Sequence, residues 1–159
     1  MKSYLGVDPG LGGALALLDS CGGVSTWDTP TFAIKGKRRV DMHALWDLVR
    51  GIASMHEPAL AVIEDVHSMP KQGVVSSFTF GRAAASVEMA LVAAGVPLHL
   101  VSPASWKRIM ALGADKDASR LKASRLFPAC AFSCRDPRSV VSQKSRFGSS
   151  VVFLARPLA

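Results

Sequence analysis

Tyr4-Leu5-Gly6-Val7-Asp8-Pro9-Gly10-Leu11-Gly12-Gly13-Ala14-Leu15-Ala16-Leu17-Leu18 is the stretch on which the architecture turns. Residues 3–8 read as a buried strand, and the Pro-Gly-Leu-Gly-Gly run as a tight turn. Residues 14–18 return as a second strand, residues 20–23 turn again, and 24–27 form a third. The result is an antiparallel meander. Asp8 closes the first strand, and an ionised acid at the end of a buried strand is costly unless a cation or a donor compensates it. The pattern recurs in Leu60-Ala61-Val62-Ile63-Glu64-Asp65. Two strands that both end on a carboxylate can converge on a metal ion. Asp65 is the poorer ligand, because neighbours on a strand point to opposite faces.

Between these strands, Lys35-Gly36-Lys37-Arg38-Arg39 reads as an exposed basic loop. Asp41 caps a helix with a buried stripe of Leu45, Leu48, Val49 and Ile52, and Glu57-Pro58 ends it. After the strand at 59–64, a long helix is expected from Ser76 or Ser77 to about Ala94, stopped by Gly95-Val96-Pro97. Gly81, Ala83, Ala84, Ala85 and Ser86 make part of it narrow, which suits core packing, a neighbouring helix or a second subunit. A fifth strand covers 98–101. Ser102-Pro103 then opens a helix with Trp106, Ile109 and Met110 on one side. Asp115 caps another that ends at Leu126-Phe127-Pro128. Beyond Pro128 the residues are rich in Ser and Arg and show no clear period until the apolar run at 151–155.

With 159 residues the chain has the length of one domain, and its 49% hydrophobic content argues against disorder. Nineteen Lys and Arg against twelve Asp and Glu give a formal charge of +7, which favours an anionic partner such as nucleic acid over a merely solvated surface. Cys21, Cys130 and Cys134 have no paired ligand spacing, so a zinc site or disulfide framework is not expected and a reducing cytoplasm fits. No apolar run is long enough for a membrane span, and no signal peptide opens the chain.

The order strand, strand, strand, helix, strand, helix, strand, helix is that of an α/β, RNase H-like mixed sheet, a meander joined to parallel strands with flanking helices. Gly6-Val7-Asp8-Pro9-Gly10, Val62-Ile63-Glu64, Phe80-Gly81-Arg82 and Val101-Ser102-Pro103-Ala104-Ser105-Trp106-Lys107 resemble RuvC-like Holliday junction resolvases, especially the phage and prophage branch. Lys116-Asp117-Ala118 through Leu126-Phe127-Pro128 continues the match, which covers residues 4–128. The resemblance implies a nuclease domain over 1–128 that uses Mg²⁺, with Mn²⁺ as substitute. It also implies a homodimer acting on branched DNA in a bacterial or phage-infected cell.

In that family the acid of the first strand bridges two metal ions, which maps onto Asp8, and the Glu of the central strand is a further ligand, which maps onto Glu64. Two acids, or a His and an acid, on a final helix complete the cluster. Here residues 129–159 replace that helix with an atypical tail. Ser145 or Arg146, and Ser149 or Ser150, stand where those groups belong, and Asp136 is the only carboxylate after Asp117. Two divalent ions ~4 Å apart repel by about 16 kcal/mol at an effective dielectric of about 20. Asp8 and Glu64 offset only part of that. One Mg²⁺ is therefore expected, and a second only if Asp136, Asp65 or the DNA contributes. Cleavage of Holliday junctions and binding without cleavage both remain open. For the tail, a natural variant and a shifted reading frame near residue 130 are both compatible with the pattern.

The expected DNA contacts are Lys71, Arg82, Lys107, Arg108 and Lys116, since four-way junctions are recognised through shape and phosphates. Trp106 is expected in the core rather than stacked on a base. His67 reads as a loop histidine, Asp115 and Asp117 as acids suited to a helix's first turn, and Cys130 and Cys134 as inert. Asp8 could instead order its own turn, and Glu64 could pair with a surface Arg. Gly6-x-Asp8-x-Gly10 also resembles the phosphate-binding hairpin of sugar-kinase and actin-like ATPases. Those fold over far longer chains, and no P-loop Gly-Lys-Ser/Thr occurs here.

Overall fold

The computed structural model describes residues 2–68, 73–113 and 118–128. A five-stranded sheet has the order β3-β2-β1-β6-β7, from β1 (Tyr4–Asp8), β2 (Ala14–Leu18), β3 (Val24–Asp28), β6 (Leu60–Glu64) and β7 (Leu98–Val101). The first three strands are antiparallel, while β6 runs parallel to both β1 and β7. This is the mixed sheet expected of an RNase H-like domain.

Strict alternation along the strands builds two cores. Leu5, Val7, Leu15, Leu17, Ala61 and Ile63 face one side and meet α1 (Met42–His56) and α2 (Val74–Ala93). On the other face Ala14, Ala16, Tyr4, Val62 and Val101 meet Trp106 and Met110 from α3 (Pro103–Ile109) and its C-terminal end. Ala123 of α4 (Ala118–Leu126) completes that second layer. On β2, Leu15 and Leu17 sit on the first face and Ala14 and Ala16 on the second, with Leu18 at the end of that second row, so the indole of Trp106 has room to lie close to the sheet beside the alanines.

The caps follow the sequence. Asp41 accepts from the amide of Ala44, a cap worth about 1 kcal/mol, and α1 ends at Glu57 in the left-handed conformation, φ 41°. Ser102 accepts from the amide of Ser105 with Pro103 in the first turn. Three expectations need correction. The long helix starts at Val74 behind Gly73, not at Ser76 or Ser77. Ile109 is exposed while Trp106 and Met110 are buried, because α3 is too short to bury a full stripe. The basic segment at 35–39 is not a loop: β4 (Thr31–Ile34) and β5 (Lys37–Val40) form a separate antiparallel hairpin around Lys35-Gly36. Both turn residues have positive φ, 49° and 74°, and that backbone twist matches a two-residue hairpin.

Lys71, Asp115, Lys116, Asp117, Cys130, Cys134, Asp136 and the apolar run at 151–155 lie outside the described residues. Among the described residues no helix is long and apolar enough to cross a membrane.

Candidate functional site

Asp8 and Glu64 end neighbouring parallel strands at the same level. The register pairs Val7 with Ile63, so the next step sets Asp8 beside Glu64, with strands roughly 4.8 Å apart. Alternation sends Val7 and Ile63 into the α1–α2 core, and therefore sends both carboxylates to the opposite face, beside Val62 and Trp106. Both residues are partly buried. Asp65 is turned to the other face, and its amide donates to the carbonyl of Val101. Its carboxylate lies 3.8 Å from Nδ1 of the exposed His67, so neither joins the pair.

Three contacts hold the turn behind Asp8. The amide of Gly13 donates to Gly10 O, that of Thr29 donates to Gly13 O, and Arg38 donates through Nη2 to Leu11 O at 2.6 Å. Gly13 is obligatory here: a Cβ on it would lie 2.0 Å from the carbonyl oxygen of Asp8. The ring of Phe80 on α2 closes over Gly10 from the other side. Ala14, opposite Asp8 on β2, is too small to fill the space beside the carboxylate.

Glu64 is held by Trp106, whose Nε1–H donates to Oε1 at 3.2 Å. Trp106 is thus a core residue, as expected, but its polar end serves the site. The ammonium of Lys107 lies 5.6 Å from the centre of the same ring, a cation–π distance, so this expected DNA-contacting cation sits on the ring that holds Glu64. Arg108 is exposed on the same helix. Arg82 is exposed on α2 over the ring of Phe78, and α2 packs on the opposite face of the sheet, so Arg82 is not brought to the carboxylates.

Asp28 was not anticipated. It pairs with Ala14, which pairs with Asp8, so Asp28, Asp8 and Glu64 lie in one row across the sheet and on one face. Position at the last residue of β3 was the signal available in the sequence. One intervening strand puts Asp28 about 10 Å from Asp8. Among the described residues no three His, Cys, Asp or Glu side chains form a group that could hold a metal.

Two hard carboxylate donors on adjacent strand ends fit Mg²⁺ or Mn²⁺. Mg²⁺ takes one or two protein carboxylates and fills its remaining positions with water and phosphate. They do not suit a soft metal that needs thiolate or imidazole.

No protein-family model and no curated protein matches the chain. Solved structures do match in shape. RuvC of Thermus thermophilus in complex with a Holliday junction substrate is 14% identical, with a TM-score of 0.64 over 98% of this chain and 94% of that one. A second Thermus thermophilus RuvC structure is 15% identical, with a TM-score of 0.59 over 96% and 93%. The yeast mitochondrial Holliday junction resolvase is 14% identical, with a TM-score of 0.52 over 96% and 75%. At these identities the likeness is one of fold, and the chain has the RNase H-like fold of RuvC-type Holliday junction resolvases.

Proposed function

We propose that this protein is a divalent-metal endonuclease that binds and resolves branched DNA of the Holliday-junction type. The observation that carries the reading is the juxtaposition of Asp8 and Glu64 on one face of this fold. Asp8 and the Oε2 oxygen of Glu64 would hold Mg²⁺, with Mn²⁺ as substitute. When bound, the ion supplies Lewis acidity for activating water and neutralising charge on the scissile phosphate. Trp106 keeps Glu64 in one rotamer, and the turn locked by Gly13, Thr29 and Arg38 keeps the backbone of Asp8 still. Lys107 and Arg108 attract the phosphate backbone from the same side, with Lys71, Lys116 and Arg82 adding to the field.

The partner copy belongs to the same proposal. Phe78, Ala85, Met89 and Val92 recur at helical spacing along the exposed side of α2, and Met89 and Val92 are 60% and 53% exposed. A second copy of the chain packed there would cover them and set two sites against two strands of a junction. The exposed free Cys21 fits a reducing cytoplasm, such as that of a bacterial or phage-infected cell.

One observation favours a second reading, binding without cleavage: among the described residues only two carboxylates meet, and residues 129–159 contain Asp136 as their sole acid where the resemblance leads one to expect an acidic helix. Incubating a labelled synthetic four-way junction with the full chain and Mg²⁺ or Mn²⁺ separates the two. Nicks near the crossover that vanish in Asp8→Asn support the nuclease. Retained binding with no nicks in either metal supports the binding-only reading.

A further inference from the structure

Beyond the Arg38 contact that helps hold the turn behind Asp8, the β4–β5 hairpin carries chemistry of its own, and it is one-sided. Residues 31–40 carry Lys35, Lys37, Arg38 and Arg39 and no acid. The register sorts the side chains onto two faces. Thr31 opposite Val40 and Ala33 opposite Arg38 share one; Phe32 opposite Arg39 and Ile34 opposite Lys37 share the other. The first face turns to the body of the protein: Val40 is buried in the main core, and Arg38 donates to Leu11 O and, at 3.0 Å, to Thr31 Oγ1. The second faces outward, with Phe32 and Ile34 41% and 44% exposed beside exposed Lys37 and Arg39.

Lysine on an edge strand guards against unwanted pairing, which would account for Lys37 alone. It does not account for an aromatic ring held outward among three cations. Location supplies the rest of the argument. Leu11 belongs to the turn that follows Asp8, so Arg38 fastens the hairpin to the loop bearing the first carboxylate. Four-residue strands reach about 13 Å, the length of a few nucleotides.

We infer that the hairpin is a DNA-binding arm, in which Lys35, Lys37 and Arg39 neutralise backbone phosphates flanking the candidate site and Phe32 packs against a sugar or an unstacked base. The inference rests on the nuclease reading. Charge selects the occupant: a chain of net charge +7 presents this cationic face to DNA favourably and to a second copy of itself unfavourably.

The test is the full-length triple variant K35Q/K37Q/R39Q, assayed for binding to a fluorescent four-way junction between about 50 and 200 mM salt. The slope of log affinity against log salt should become shallower by about 2.7, close to 0.9 for each phosphate that is no longer neutralised. Arg50→Gln on α1, whose guanidinium already pairs with Asp47, should leave the slope unchanged. Phe32→Ala should weaken binding severalfold at an unchanged slope, and melting temperatures should stay at the wild-type value because all four side chains point outward. A wild-type protein with a steep salt dependence and a triple variant with the same slope would overturn the arm and leave the nuclease standing. A flat salt response in the wild type overturns both. A triple variant that changes mass in light scattering would make this face a contact between copies and overturn the arm.

Discussion

Trp106 donates its indole N–H to Oε1 of Glu64 at 3.2 Å, a bond that joins α3 to the end of β6 across 42 positions of sequence. It couples a buried ring to a carboxylate that reaches the surface, so packing of the second core decides the rotamer of a candidate metal ligand. It also leaves the other oxygen of Glu64 free of this partner.

Trp106→Phe should keep most of the packing and lose only the donor. A hydrogen bond to a charged group contributes about 1.5–3 kcal/mol, and the partial exposure of Glu64 reduces that to about 1 kcal/mol in chemical denaturation. Mg²⁺ affinity measured calorimetrically without DNA should fall several-fold. The Trp106 indole resonance should move when Mg²⁺ is added to the wild type, and it should be displaced in Glu64→Gln; an unmoved resonance in both cases would dissociate the ring from the site.

Gly13→Ala tests the turn. The added Cβ would meet the carbonyl oxygen of Asp8 at 2.0 Å, and backbone has nowhere to move while Thr29 holds Gly13 O. A cost of about 1–3 kcal/mol is expected in urea unfolding, together with loss of metal binding. Gly51→Ala on α1, where a Cβ would meet only the end of the Met55 side chain at 3.9 Å, is the matched control and should be neutral or slightly stabilising.

Met89→Glu places a charge in the middle of the apolar side of α2. If that side packs against a second copy, light scattering should show the mass halve while the circular dichroism stays unchanged. A variant with the wild-type mass would exclude α2 from the subunit contact.

Asp19 accepts from the amides of Cys21 and Gly23 at 2.8 and 2.9 Å, and the bond from Gly23, then that from Cys21, holds its carboxyl below the usual carboxylate range. A depressed folded-state pKa means stabilisation that is present above the unfolded value of about 3.8 and lost as pH falls through the lower folded value. Asp19→Ala should therefore melt at a lower temperature than wild type at neutral pH, and the gap should close only in strong acid.

The meander, α1 with its Asp41 cap, β6, β7 and the Ser102-Pro103 start of α3 were legible because each is written in local patterns: apolar runs of strand length, three-and-four spacing, cap residues and glycine turns. The hairpin at 31–40 was not. Ile34, Lys37 and Arg39 make no apolar alternation that a single-sequence reading could recognise, and only two positive-φ residues and long-range support from Val40 and Arg38 make it a ribbon. Ile109 was misjudged for a related reason, since apolar spacing says that residues share a side but not how far the neighbouring sheet extends to cover them.

By itself the sequence determined that Asp8 and Glu64 terminate buried strands, because an apolar run ending on an acid carries its own electrostatic demand. Which face each acid takes, and that both take the same one, was decided by strand register, a non-local property that links residues 56 positions apart. The Trp106–Glu64 bond, the placement of Lys107 beside it, the row that includes Asp28 and the fastening of the hairpin to Leu11 all depend on that register. Their physical basis is side-chain contact between segments distant along the chain, and such contacts exist only once the sheet has been assembled.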